Sequence, residues 1–539
     1  MKRITALLGF VCLFVLFSCK KDVETPTADF SKSATNSLAV TTVNGVQVNT
    51  DTIPPTNAVD VKTYGAKGDG VTDDTKAIQN AINAQSVLVF KAGTYIINST
   101  LLMRSGVKIY GTGGAAIKPG NAMSGTLLSL GRCIYIYANY QSQITNMVFL
   151  QSNQAYNLGV FGNACIYIRD SQNTVLTYNK FNYHQPYQHI GIEAIFVDGM
   201  KTLNTFIYKN ICNTAGIEYA ENGASGTICS TNTVNNSHSN ALNGEGNGTQ
   251  YCTKIQVVNN IINNAGYNGI NDYGLIDGTL IKGNLITGTG KSPTEWAMGE
   301  GIQAVAVNTI VSCNTIIDAQ AEYIECATNN KLIDSNKIID YNFKAEGIVV
   351  NTTPNNFQSA ARRTTTIIDH NNITGCLDAI EIFGAYTPSV TIKNNTINNP
   401  KSSGVNIIAS ASSYSLTVSN NTFNFTKPSL GVRKAVVTST SNKTNTQFVA
   451  FNTNTFNYAT SANGGAGKEV AFATTTNNVT LNGNTVNGNG IKSASGAEIV
   501  AMDNAGLTYT GYAFINNKFY NCLYWLTGFL TTSKTGNNF

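Results

Sequence analysis

The sequence has little charge and little imbalance of sign: 35 Lys and Arg stand against 30 Asp and Glu in 539 residues. Such a balance supplies no basic footprint for a nucleic acid, so no nucleic-acid partner is expected. Past the N-terminus no apolar run is long enough to cross a bilayer as a helix. No two of the 11 cysteines stand in a CxxC spacing, which argues against a zinc site. Nine cysteines remain beyond Cys12 and Cys19, and their spacing gives no disulfide framework. Several, Cys212 and Cys326 among them, fall at inward repeat positions and read as buried apolar thiols. Helical periodicity nearly vanishes after residue 90, and the Leu framework of a leucine-rich repeat is missing. Short β-branched strands are left, punctuated by Gly and Asn.

At the N-terminus Lys2 and Arg3 precede an apolar run, Ile4 to Phe17, of signal-peptide length. The run ends in Leu16-Phe17-Ser18-Cys19, which resembles a bacterial lipobox. Residues 1–19 are therefore expected to form a lipoprotein signal, with Cys19 lipidated. Lys20-Lys21-Asp22-Val23-Glu24 resembles the charged export tag of surface lipoproteins. The expectation is an exported monomer held at the outer membrane by a lipid anchor, exposed at the cell surface. Residues 20–57, rich in Ser, Thr, Asn and Pro, read as a flexible tether. Residues 58–539 read as a single domain.

The strongest signal is internal repetition. A short strand ending in Asn recurs at Asn146, Asn179, Asn210, Asn232, Asn260, Asn284, Asn314, Asn336, Asn371, Asn395, Asn421, Asn454, Asn484 and Asn517, at intervals of 22 to 35 residues. A second element, Gly or Ala followed by Ile or Val, follows most of these, as at Gly216-Ile217, Gly301-Ile302, Gly347-Ile348 and Ala379-Ile380. One such turn cannot bury its own apolar face, whereas stacked turns share a continuous core. The repeated Asn suits a tight bend, where it tolerates left-handed backbone and can hydrogen-bond its counterpart one turn away. The fold class expected is all-β: a right-handed parallel β-helix with one strand of each kind per turn. Such a stack exposes its first layer. Thr72-Asp73-Asp74-Thr75 followed by Ala77, Ile78, Ala81 and Ile82 predicts a short amphipathic helix to close it.

The stretch Val61-Lys62-Thr63-Tyr64-Gly65-Ala66-Lys67-Gly68-Asp69-Gly70, running on through Thr72-Asp73-Asp74-Thr75 to Gln79, resembles the N-terminal signature of the pectate lyase superfamily. It is nearest the branch that holds rhamnogalacturonases, polygalacturonases and alginate epimerases, and Gly93-Thr94-Tyr95 continues the match. The resemblance implies a right-handed β-helix and a carbohydrate-active role with a polysaccharide partner. Phage tail proteins share the signature. Two departures limit it: the polygalacturonase motif set and the Asp-Pro-His-Glu motif of the epimerases are both missing.

Two columns of residues could carry chemistry. One position after the inward Ile, the turns read Tyr167, Glu193, Glu218, Asn243, Asn271, Gln303, Glu325, Val349, Glu381 and Asn406, a row expected to face outward. Two positions before the Ile come Glu300, Glu322, Glu346 and Asp378. Strict alternation would point this second set inward, but it falls at the bend entering the strand, where direction can reverse. Carboxylates stacked about 4.8 Å apart repel and raise one another's pKa. Such a stack persists where it has a use, shares protons or holds a cation.

Glu300, Glu322, Glu346, Asp378 and Glu325 are accordingly the candidate catalytic acids of a glycoside hydrolase. No cofactor is required for that chemistry, and Ca²⁺ is the alternative occupant. Glu193, Glu218, His189, His238 and Trp296 are candidate substrate contacts, with His184, Tyr183 and Tyr187 near them. Arg169, Arg362 and Arg363 keep a polysaccharide lyase as an alternative, and a non-catalytic glycan-binding scaffold is another. His370, beside Asn371, reads as structural.

Overall fold

In this computed structural model the described residues are 40–43, 46–49, 51–120, 132–150, 164–182, 193–292, 299–327, 331–351, 366–384, 389–409, 413–426, 434–438, 446–458, 469–474, 478–488, 499–503, 509–520 and 529–535. Two units are distinguished, 1–50 and 51–539. In the first, Val40–Val43 pairs antiparallel with Val46–Asn49, within the stretch expected to be a tether. The signal sequence and the lipidation site Cys19 lie outside the described residues.

The second unit is a right-handed parallel β-helix. Its chain repeatedly crosses three parallel sheets, and each strand pairs with its equivalents one turn before and after. Among the described residues the front sheet has fifteen strands, from Leu101–Leu102 to Ile499–Asp503. Its register is nearly unbroken. Ile134, Ile166, Ile195, Ile217, Leu242, Ile270, Ile302, Ile324, Ile348, Ile380 and Val405 face one another in a single inward row, each fully buried. Burying one such side chain stabilises the fold by about 1.5–3 kcal/mol. The row grows by one member with each turn, so the stack coheres although no single turn would.

The asparagine ladder lies at the inner corner between the second and third sheets. From Asn179 to Asn517, each backbone N–H donates to the Oδ1 of the next Asn at 2.8–3.0 Å, linking thirteen residues. Each Nδ2 also reaches a carbonyl of the preceding turn, as Asn210 does to Leu176 at 2.9 Å. Every polar atom of these buried amides finds a use. The structure corrects two details. Asn146 is not a rung: Met147 takes that place and donates its N–H to Asn179 at 3.0 Å. The left-handed residue is the one before each rung, such as Tyr178, Lys209, Asn259 and His370, because the chain turns there and the rung itself re-enters extended backbone.

A helix, α1 (Thr75–Ala84), caps the N-terminal end and buries Ile78, Ala81 and Ile82 as its spacing predicts. The two halves of the sequence signature meet beside it. The Thr94 N–H donates to the Gly68 carbonyl at 3.0 Å, and a Cβ on Gly93 would lie 2.4 Å from that same oxygen. Asp74 accepts from the N–H groups of Lys67 and Gly68 at 2.6 and 2.9 Å. The motif is thus a folded knot of backbone, which explains why its residue types are restrictive.

Seven described cysteines, including Cys212 and Cys326, are buried free thiols. Cys313 is disulfide-bonded instead.

Candidate functional site

The outward row of the front sheet runs Tyr135, Tyr167, Phe196, Glu218, Asn243, Asn271, Gln303, Glu325, Val349, Glu381, Asn406. One expected member is displaced. Phe196 holds the position given to Glu193, because the inward residue of that turn is Ile195, three residues beyond Ile192. Glu193 pairs instead with Ala164 and Gly216, at the entrance to its strand.

Glu300, Glu322, Glu346 and Asp378 stand at that same entrance in successive turns, linked by backbone bonds such as Gly301 N–H to the Glu322 carbonyl at 2.9 Å. Their side chains share the outer face with the outward row. The Asn406 amide donates to both Asp378 (2.9 Å) and Glu381 (3.2 Å), and Asn268, the equivalent position one turn before Glu300, donates to Gln303 at 3.3 Å. After Glu300, Glu322 and Glu346 direction reverses because the residue between, Gly301, Tyr323 or Gly347, is a bend. At Gly301 a Cβ would lie 2.5 Å from the Tyr323 carbonyl of the next turn. The bend thus brings together Glu300, Glu322, Glu325, Glu346, Asp378 and Glu381; the last of these was visible in the sequence column but was not counted among the acids.

Burial dominates the electrostatics of this cluster. Glu300 is 7% exposed, its Oε2 has no hydrogen-bond partner, and burial, then Glu325 and Glu322, raise its pKa to about 7. Burial, followed by Glu346 and Asp378, lifts Glu381 to about 7 as well. Burial also raises Glu322 and Glu346, each with a neighbouring carboxylate as a further cause. Asp378 keeps one buried oxygen, Oδ1, without a partner. Glu325 is held differently: Gln303 donates to its Oε2 at 2.8 Å. Among the described residues no ion pair joins Arg or Lys to any of the six carboxyls.

A second acidic centre lies two to four turns from Glu300 toward the N-terminus. Glu193 and Glu218, expected as substrate contacts, meet Glu221 and Glu245, which the sequence columns did not include. The missed signal is the Glu218-x-x-Glu221 spacing, which carries the second carboxyl past the strand bulge between Glu218 and Ala220. Glu193 sits over a bare backbone: a Cβ on Gly216 would lie 2.5 Å from its Oε2. Burial drives Glu193 and Glu221 each to about 8, with Glu245 the next cause, and raises Glu218 strongly. Asn243 donates to Glu218.

Nearby, Asp272 accepts from Thr279 and Thr309, each at 2.8 Å, and faces buried Lys331, whose pKa burial lowers to about 8. His238 is buried in the corner before this part of the front sheet, its Nδ1 2.9 Å from the Thr214 carbonyl. His184, His189, Tyr183, Tyr187, Trp296, Arg362 and Arg363 lie outside the described residues. Arg169 is on the outer face of the front sheet but pairs with Asp198 at 3.7 Å, six turns from Glu322.

For a metal, the group of three ligands gathered within 4.8 Å among the described residues is Asp334, Asp369 and His370 on the second sheet, not the acidic stack. Lys393 and Asn394 already engage Asp369 there, at 3.4 and 2.8 Å.

Turns, cap and signature together define a parallel β-helix protein. Residues 58–287 match the family described as rhamnogalacturonase A/epimerase, pectate lyase-like. Curated relatives match only a short stretch. A non-secreted LysM effector of Penicillium expansum is 49% identical over 57 residues, and a probable glucan endo-1,3-beta-glucosidase of Arthroderma benhamiae is 48% identical over 54. These matches cover 10% of this chain and 4% and 6% of those relatives, so the chain spans a small fraction of their length. Among solved structures, the Streptococcus pneumoniae surface adhesin PfbA is 16% identical, with a TM-score of 0.42, over 77% of this chain and 93% of that one. An alpha-1,3-glucanase catalytic domain in complex with nigerose is 13% identical, with a TM-score of 0.38, over 92% and 72%.

Proposed function

We propose that this chain is an exported glycoside hydrolase that cuts a polysaccharide laid along its front sheet. The observation that carries the reading is Glu300, a buried acid with an unpartnered oxygen and a pKa of about 7, one turn from Glu325. At neutral pH a large share of Glu300 keeps its proton, which it gives to the glycosidic oxygen as the bond to the anomeric carbon breaks. Glu325, oriented by Gln303, takes a proton from water, and the resulting hydroxide equivalent attacks the anomeric carbon. If Glu325 attacks the anomeric carbon directly, a glycosyl-enzyme ester forms; water that gives its proton to Glu300 then displaces Glu325, and the product retains its configuration. A separation of about 5–5.5 Å suits that route and about 6.5–9.5 Å the inverting one. The pectate lyase-like match and the glucan-cleaving relative support a glycan as the partner. The N-terminal Leu16-Phe17-Ser18-Cys19 supports export and a lipid anchor.

Reducing-sugar release from a panel of neutral and acidic polysaccharides, with and without a chelator, tests the reading. Glu300→Gln and Glu325→Gln should each abolish it. A product absorbing in the ultraviolet would assign a lyase, and retention of a polysaccharide without any product would assign a scaffold.

A further inference from the structure

The outer face of the front sheet changes character toward its N-terminal end. Tyr135, Tyr167 and Phe196 replace the acids in register: Tyr167 stacks on Phe196 with ring centroids 5.2 Å apart, and Tyr135 lies tilted by 58° against Tyr167 at 5.6 Å. Two residues along, a second row reads Tyr137, Arg169, Asp198 on the same three turns. Tyr137 stacks on Tyr135 at 5.4 Å and 21°, yet remains 52% exposed. Arg169 is half-exposed, with its Nε 3.7 Å from Asp198. Asp198 is buried and fixed, accepting from Asn222 at 2.7 Å and from the Tyr167 hydroxyl. Beneath them the Arg132 guanidinium lies 3.6 Å from the Tyr167 ring centroid. A rigid ring with one face on its neighbour, beside an arginine steered by a buried acid, is a preorganised site for a flat polar ligand.

We propose that Tyr137 and Arg169 form a sugar-ring subsite, in which a pyranose unit lies against the tyrosine and its hydroxyls accept hydrogen bonds from the arginine. Asp198 is the positioning residue. The occupant is a saccharide because the first of these rows continues along the same outer face into Glu218, Asn243, Asn271 and Gln303, side chains that pair with hydroxyls. Tyr137 stands six strands from Glu300 in the front sheet, about 29 Å at ~4.8 Å per strand. A chain touching both sites must therefore be a polymer of several units. This inference rests on the glycan reading of the acidic stack and adds a second, distant contact to it.

Affinity electrophoresis of the full chain through native gels containing a β-glucan, a xylan, an arabinan or a polygalacturonate tests the proposal. At least one polymer should retard the protein, with Tyr137→Ala and Arg169→Ala each weakening retention about tenfold or more. Tyr137→Phe should retain it, and unchanged thermal melting should show that the variants are folded. Retention of both alanine variants equal to the parent, or no retention by any polymer, overturns the subsite. Tyr137-dependent retention without cleavage would leave the subsite standing and remove the hydrolase. Cleavage indifferent to Tyr137→Ala, on long and short chains alike, would do the reverse.

Discussion

The inner asparagine ladder and the outer carboxyl stack are built on the same turns with the same spacing, yet they solve opposite problems. In the ladder each amide both donates and accepts, so repetition satisfies it: Asn260, for example, donates to Asn284 and to the Cys229 carbonyl while accepting from Asn232. In the stack each carboxylate can only accept, so repetition frustrates it, and Glu300 and Asp378 keep oxygens without partners. A self-complementary group repeated along a solenoid is architecture. A like-charged group repeated there costs stability, and its persistence points to a use.

The contrast can be broken most strongly at the stack. Glu300→Gln or Glu325→Gln should reduce turnover by about 10²–10⁴-fold, in keeping with the loss of a general acid or base, while the melting temperature stays level or rises. Rates measured across pH should also fall as the medium passes the Glu300 value of about 7, because the proton donor is lost. The ladder should behave in the converse way. Asn260→Ala removes bonds to both neighbouring turns and orphans buried groups at about 1–3 kcal/mol each, so denaturant unfolding should show a clear loss of stability, with Glu300 left in place.

A smaller effect is expected at Gly216→Ala, where the new methyl meets Glu193 and the Asn240 carbonyl, both at 2.5 Å. Overpacking of this kind costs about 1–3 kcal/mol, which thermal melting would register. The mildest test is pH itself. Glu193 and Glu221, at about 8 when folded, lie above the unfolded value of about 4.3. Their neutral forms belong to the fold, so their stabilising share is complete at acid pH and is lost as pH rises through 8. The melting temperature should decline between pH 5 and 9, and Glu221→Gln should flatten that decline.

Most of the fold could be read from the sequence because the solenoid repeats its constraints. Rung asparagines and inward isoleucines recur turn after turn, so a single misplaced residue such as Asn146 leaves the pattern visible. The capping helix was legible from four apolar positions. The site was legible only where it too repeats, as at Glu300, Glu322, Glu346 and Asp378. Glu193 was misaligned because its turn contains an irregular register, and a Gly-Ile pair at 191–192 imitated the usual strand entrance. Glu221 and Glu245 were missed because a bulge brings them together, and bulges leave no periodic trace. Lys331 and Asp272 meet through burial across turns, which spacing along the chain does not reveal.

The ladder also has a direction. From Asn179 to Asn484 each side-chain amide donates one Nδ2–H to the Oδ1 of the following rung, and no rung donates to the Oδ1 of the preceding one. The side-chain dipoles therefore add head to tail along the axis, and neighbouring bonds polarise one another. A rung in the middle is reinforced from both sides and a terminal rung from one. Opening should accordingly begin at an end and travel as a zipper, with amide hydrogens near Asn336 exchanging last.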